Sequence, residues 1–302
     1  MSQRLLKTNI VLKIVSKDYK LKRKRQRFVV VSNDGRKTEI AVDKVYGIIL
    51  YENGIITTSA LALAMQKRIP IVSFYKSTML LLQPPDLFIK PELIKAQSTL
   101  STKKAHMIAS KMVKSYIDGL HASFENIFGK PIDLKFDANN KINTDKLLYQ
   151  LVSETESRIF ELIPNREKTK NNLYTLFQTL KTLLSHHILI SLLKQGLHPC
   201  IAFVHPEKNF DIPLAFDISL EIAPATIFPL TFDLANKYTN PAQIPLPTLL
   251  KIINNLLDRK FIHPMFNKPL SLQKIIDVQT KSLAKSIATP IASYNPLLLS
   301  GG

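Results

Sequence analysis

Gly196-Leu-His-Pro-Cys-Ile-Ala-Phe-Val-His205, followed by Leu214-Ala-Phe-Asp217, decides how this chain of 302 residues is read. One apolar run ends on His205, and a second, twelve residues further on, ends on Asp217. Upstream, Leu147-Leu-Tyr-Gln-Leu-Val-Ser-Glu154 carries a carboxylate on a helical pattern. One imidazole and separated carboxylates, each presented from an apolar framework, are a candidate site for a divalent metal. With a formal net charge of +18, the substrate that fits such a metal is a phosphodiester.

The chain is long enough for one large domain or two, with a substantial core. At 45% hydrophobic and 21% charged it reads as a folded protein. Its basic excess attracts polyanions and predicts nucleic acid as the partner, against the plainer reading of a lysine-rich solvated surface. The excess is uneven: residues 1–85 hold 16 Lys+Arg against 5 Asp+Glu. The densest segment, Lys17 to Arg27, is either an edge that tracks phosphates or a solvated loop; Lys22, Arg23, Lys24 and Arg25 are its candidate nucleic-acid contacts. Cys200 is the single cysteine, which excludes an intrachain disulfide, and its apolar neighbours make it a buried structural thiol. No uninterrupted apolar run has membrane-spanning length and no signal-peptide pattern opens the chain, so a cytoplasmic, non-membrane protein is expected.

The pattern predicts an α+β fold in two domains. Residues 1–83 read as a β-rich domain. Phe28–Val31 and Thr38–Val42 flank a hairpin turn at Ser32–Arg36, a third strand covers Val45–Tyr51, and Asn53-Gly54 turns the chain again. Thr57-Thr58-Ser59 offers a cap for a helix over Ala60–Lys67, and Ile69–Tyr75 returns as a strand. Adjacent prolines mark a linker at 84–91. From 92 to 302 the periodicity predicts an all-α domain, with helices at 92–118, 144–163, 170–195, 246–258 and 271–288 and another starting near Asp217.

Within that domain Glu154 falls near the edge of the stripe made by Leu147, Leu148, Leu151, Val152, Ile159 and Phe160, whereas Glu156 is expected to face water. By itself each candidate has a plain reading: Glu154 as a solvated helix residue, His205 as a structural border residue before Pro206, Asp217 as a helix cap. Glu221, four residues after Asp217, projects from the same helical face, and two such carboxylates repel unless a cation resolves them. Hard oxygen donors plus one imidazole suit Mn2+ or Mg2+. No glycine-rich phosphate loop, CxxC pair or GxSxG elbow is present, which leaves nucleotide hydrolysis and serine chemistry without support.

At these residues the chain resembles the CRISPR-associated spacer integrases. That family shows a helical Glu, a GL-D-P-x-x-G-F-x-H stretch and an S-L-x-x-D-L-x-E-x-x-R-P stretch; Glu154, Gly196–His205 and Pro213–Pro224 look like them. Ile56–Tyr75 and Ile275–Ala284 are similar as well, so the likeness covers most of the chain. It departs at Leu220, where the family's second acid stands and where Glu221 follows one place later; at Ala223, in place of an Arg; and at Ala202, in place of a glycine. The resemblance implies a metal-dependent endonuclease and integrase that joins the 3′-hydroxyl ends of DNA fragments into a repeat array. It implies Glu154 (or Glu156), His205 and Asp217 as catalytic metal ligands, with Glu221 as a fourth. Its expected partners are DNA (double-stranded, and also with branched or single-stranded ends), a homodimer mate and a small ferredoxin-like adaptation protein.

Overall fold

A computed structural model of the chain describes residues 10–75, 78–82, 90–131, 145–163, 170–206, 208, 210–289, 293–297 and 299. The chain divides into two compact units, Met1–Pro91 and Glu92–Gly302. The expected 84–91 linker lies outside the described residues except for Lys90 and Pro91.

The first unit contains β1 (Ile10–Ile14), β2 (Tyr19–Lys24), β3 (Arg27–Val31), β4 (Lys37–Ala41), β5 (Val45–Leu50), β6 (Gly54–Ile56), α1 (Thr58–Gln66), β7 (Ile71–Tyr75) and β8 (Thr78–Leu82). One sheet has the order β1-β5-β7-β8 and the other β4-β3-β2-β6. The β3–β4 hairpin pairs Val31 with Lys37, and Gly35 turns it at φ 80°, a conformation glycine adopts without strain. Thr57 caps α1 by accepting from the Ala60 amide at 3.3 Å. The core draws Ile48, Leu50 and Ile71 from one sheet, Leu21, Phe28 and Val30 from the other, and Ala60, Leu63 and Ala64 from α1. Strand β8 had no counterpart in the sequence reading.

Gly54 pairs with the buried Tyr19, and a Cβ built there would lie 2.4 Å from the tyrosine ring. Gly54→Ala must therefore displace a core aromatic, a change expected to cost about 1–3 kcal/mol. Thermal unfolding of the variant checks this; an unshifted transition would show that Tyr19 can move freely.

The second unit is mostly helical: α2 (Pro91–Ser98), α3 (Thr102–Phe128), α4 (Asp145–Glu161), α5 (Lys170–Gln195), α6 (Pro213–Lys237), α7 (Leu246–Asp258) and α8 (Leu272–Ala288). The single helix expected over 92–118 is two, because Ser101 leaves the helical path and caps α3 on the Lys104 amide. The unit is also not all-α. Strands β9 (Lys260–His263) and β10 (Lys268–Ser271) form an antiparallel hairpin between α7 and α8.

Helix α6 packs chiefly on α5 and α3. Every residue from Pro213 to Phe228 is buried, so no face of this stretch meets water. Pro224 and Pro229 each forfeit one ladder bond; packing keeps the helix continuous. Helices α5 and α6 are both long and apolar enough to cross a membrane, yet 78% and 89% of their apolar windows are buried inside the protein, as in core helices.

Candidate functional site

Helix α5 ends at Gly196, whose φ of 80° lets Leu197 N–H donate back to the Leu192 carbonyl at 3.1 Å. Polar side chains hold the segment that follows in place. Gln97 of α2 donates to the carbonyls of His198 and Ile201 at 3.0 and 2.8 Å and accepts from the His198 amide at 2.9 Å. Cys200, half-buried rather than fully buried, donates to the Asp211 carbonyl at 3.6 Å.

Asp217, in the second turn of α6, anchors the far end of this segment. Its Oδ2 accepts from the amides of Phe203 and Val204 at 2.6 and 3.1 Å. Its Oδ1 accepts from the His205 amide at 2.9 Å and meets His205 Nδ1 at 2.7 Å. A carboxylate taking the Nδ1 proton fixes the imidazole in one orientation and leaves Nε2 as the nitrogen for a ligand or a proton. Tyr149 of α4, Phe210 and Phe216 stand around the ring, with centroids 5.6, 4.8 and 5.7 Å away. His205 is 4% exposed and Asp217 not at all. The structure brings His205 and Asp217 into contact and buries both.

The other two candidates do not join it. Glu221 is buried on α6, but it makes its own network. Tyr294 donates to Oε1 at 2.5 Å, while Gln279 and the Leu297 amide donate to Oε2 at 2.6 and 2.8 Å. Burial raises its pKa to about 8, with the hydrogen bonds pulling the other way. Glu154 is exposed. It lies five residues after Tyr149, about 140° round α4 from the ring that touches His205. No hydrogen bond or ion pair connects it to the other three among the described residues.

The expectation for Glu156 is overturned. It is 4% exposed, accepting from Tyr116, Gln178 and Lys181 at 2.5 Å each. The signal was present: Glu156 lies four residues after Val152 and four before Phe160, both buried, so it is on the stripe. Lys181 repeats the pattern on α5, four residues after the buried Phe177.

The family resemblance implies Mn2+ or Mg2+. The donors do not make a cage for either. Both oxygens of Asp217 and both of Glu221 are already engaged, Glu154 points elsewhere, and among the described residues no group of three or more His, Cys, Asp or Glu could hold a metal ion.

The basic segment is not an edge or a loop. Strand β2 lies inside its sheet, between β3 and β6. Lys20, Lys22 and Lys24 are exposed, while Tyr19 and Leu21 are buried. Lys24 pairs with Glu39 at 2.7 Å, Arg23 donates to the Arg25 carbonyl at 2.9 Å, and Arg25 turns the chain at φ 54°. Lys22 and Arg25 are the members of the expected quartet whose exposed side chains have no partner among the described residues.

Comparison with known proteins agrees with the sequence resemblance. Residues 12–137 match the family described as CRISPR associated protein Cas1. The chain superposes on a Cas1 protein from Thermotoga maritima with a TM-score of 0.73 at 18% identity, covering 92% of this chain and 97% of that one. A casposase bound to integration product gives 0.66 at 14% identity, covering 94% and 92%. A Cas6-RT-Cas1–Cas2 complex gives 0.70 at 15% identity, covering 97% of this chain and 36% of that one. No curated protein matches by sequence.

Proposed function

This chain carries the Cas1 family's sequence match and the Cas1 fold, and on that footing we propose that it is the DNA-joining subunit of CRISPR adaptation. A 3′-hydroxyl of an incoming fragment attacks a phosphodiester at a repeat border. A new O–P bond forms as the old one breaks, the displaced 3′-oxygen takes up a proton, and no energy-rich cofactor is consumed. Of this chain's residues, His205 carries the chemistry, through the nitrogen that Asp217 leaves uncommitted; that pairing is the observation behind the reading. Mn2+ or Mg2+ would supply charge neutralisation at the phosphate. Because the donors do not enclose such an ion by themselves, no step is assigned to it. DNA, a homodimer mate and a small ferredoxin-like adaptation protein are the proposed partners.

The engaged carboxylates favour a second reading, a DNA-binding scaffold subunit whose own site is inactive. One assay separates the two. The protein is mixed with a short duplex bearing 3′-hydroxyls and a supercoiled, repeat-containing target, with Mn2+, Mg2+ or chelator. Covalent joining supports the integrase; cutting alone makes it a nuclease, and binding with neither makes it a scaffold. Glu154→Ala is expected to leave both joining and stability unchanged, because the side chain is solvated and apart from the pair. Loss of joining in that variant would place Glu154 at the reacting phosphate after all. Binding should also be tolerant of sequence and should weaken steeply between low and physiological salt. An affinity that ignores salt would count against a phosphate-dominated contact.

A further inference from the structure

We infer that the β9–β10 hairpin is a separate DNA contact, built to hold unpaired nucleotides at a DNA end; this rests on the reading of the chain as a DNA-joining protein. Alternation along β9 turns Phe261 and His263 into the helical unit and leaves Lys260 and Ile262 outside. Ile262 pairs directly with the exposed Pro269 of β10. At the tip Met265 is 62% and Phe266 47% exposed, and Ile262 is 57% exposed. Large apolar side chains scattered singly need no explanation, but three within five residues mark a contact surface.

Charge identifies what the surface meets. From Arg259 to Lys274 the chain has four cations, Arg259, Lys260, Lys268 and Lys274, and no Asp or Glu. All four are exposed and none makes an ion pair among the described residues. An apolar groove on a protein would be served by the tip alone, whereas uncompensated cations on both strands call for a polyanion. An aromatic side chain among cations is the chemistry that takes up single-stranded nucleic acid, with the base stacking on the ring and the phosphates meeting the lysines. Within a duplex the base faces are already stacked, so the ligand is DNA with an unpaired end.

The tip is held ready for this. The His263 carbonyl accepts from the amides of Phe266 and Asn267 at 3.1 and 2.8 Å, and its ring Nδ1 accepts from the Met265 amide at 3.2 Å. Asn267 closes the turn at φ 46°. The imidazole lies against the Phe266 ring, centroids 4.7 Å apart and planes 33° from parallel. Phe266 is thereby supported on one side while about half of its surface remains open.

The test uses the full chain and two probes, a blunt duplex and the same duplex with a single-stranded 3′ tail. The parent is expected to prefer the tailed probe. Phe266→Ala with Met265→Ala should erase that preference, about tenfold in affinity, and leave the blunt probe untouched. Phe266→Trp should retain it. Lys260→Ala with Lys268→Ala should weaken both probes together and lower the salt slope by about two. A tip variant that binds the tailed probe as tightly as the parent overturns the inference while leaving the DNA-joining reading intact. So does a tip variant that keeps all DNA binding but loses association with an adaptation partner protein. A parent that binds neither probe overturns both.

Discussion

Lys181→Met is expected to destabilise the helical unit by about 3–5 kcal/mol, the cost of leaving a buried carboxylate without its counter-charge. Lys181 and Glu156 side chains are 4% and 5% exposed and lie 2.5 Å apart. The lysine head also sits 6.0 Å from the Tyr116 ring centre and 5.7 Å from that of Phe177, so little space is left for water. In a unit of this size the loss amounts to a fall of roughly 10 °C in Tm. Removing both charges, as in Glu156→Leu with Lys181→Met, should restore much of what the single change loses. If the double variant is as weak as the single one, the pair is held by its hydrogen bonds to Tyr116 and Gln178 rather than by charge. The same carboxyl sets an acid limb. Burial pushes its pKa up, but the Lys181 charge and the bonds from Lys181, Tyr116 and Gln178 outweigh that, and the net shift is downward. Its stabilising contribution is therefore complete above the ordinary glutamate range and is lost as pH falls through and below it. Glu156→Gln should flatten that limb of a stability-versus-pH curve, and an unchanged limb would assign it to other carboxyls.

The second large effect concerns the buried pair. His205→Ala should lower DNA joining by at least about 100-fold, the scale of a lost acid–base group. Asp217→Ala should abolish joining too, but for an additional reason. It orphans three backbone amides and the imidazole at once, and each buried donor left unmet costs about 1–3 kcal/mol. Limited proteolysis within 198–211 together with Tm separates the roles. The His205 variant should resist cleavage like the parent, while the Asp217 variant should be cut and melt early. Equal resistance in both would mean that the segment is held by Gln97 alone.

Local chemistry made much of this fold legible. A threonine able to cap α1, a glycine at φ 80° and alternating apolar residues need only their neighbours to act, and those elements lie where the sequence puts them. The β9–β10 hairpin was hidden because its strands are four residues each and carry Pro264 at the turn and Pro269 in the ladder. Strand β8 was hidden as well, since Met79-Leu-Leu-Leu82 has no alternation and runs straight into prolines. At the site, His205 and Asp217 were found together because a pair of apolar runs brings them to one place. Glu156 was assigned to the wrong face because a charged residue was presumed to be wet. A carboxylate on the stripe of α4 and an ammonium on the stripe of α5 each look like faults in an apolar pattern. Taken together they predict each other.

Glu221 lies on α6, yet its donors come 58 to 76 residues further along the chain: Gln279, Tyr294 and the amide of Leu297. On the ribosome, α6 can collapse against α3 and α5 while that carboxyl still lacks every one of them. Seating it dry must await the emergence of residues 279–297. A nascent chain stalled short of Tyr294 would therefore carry its deepest helix unfinished.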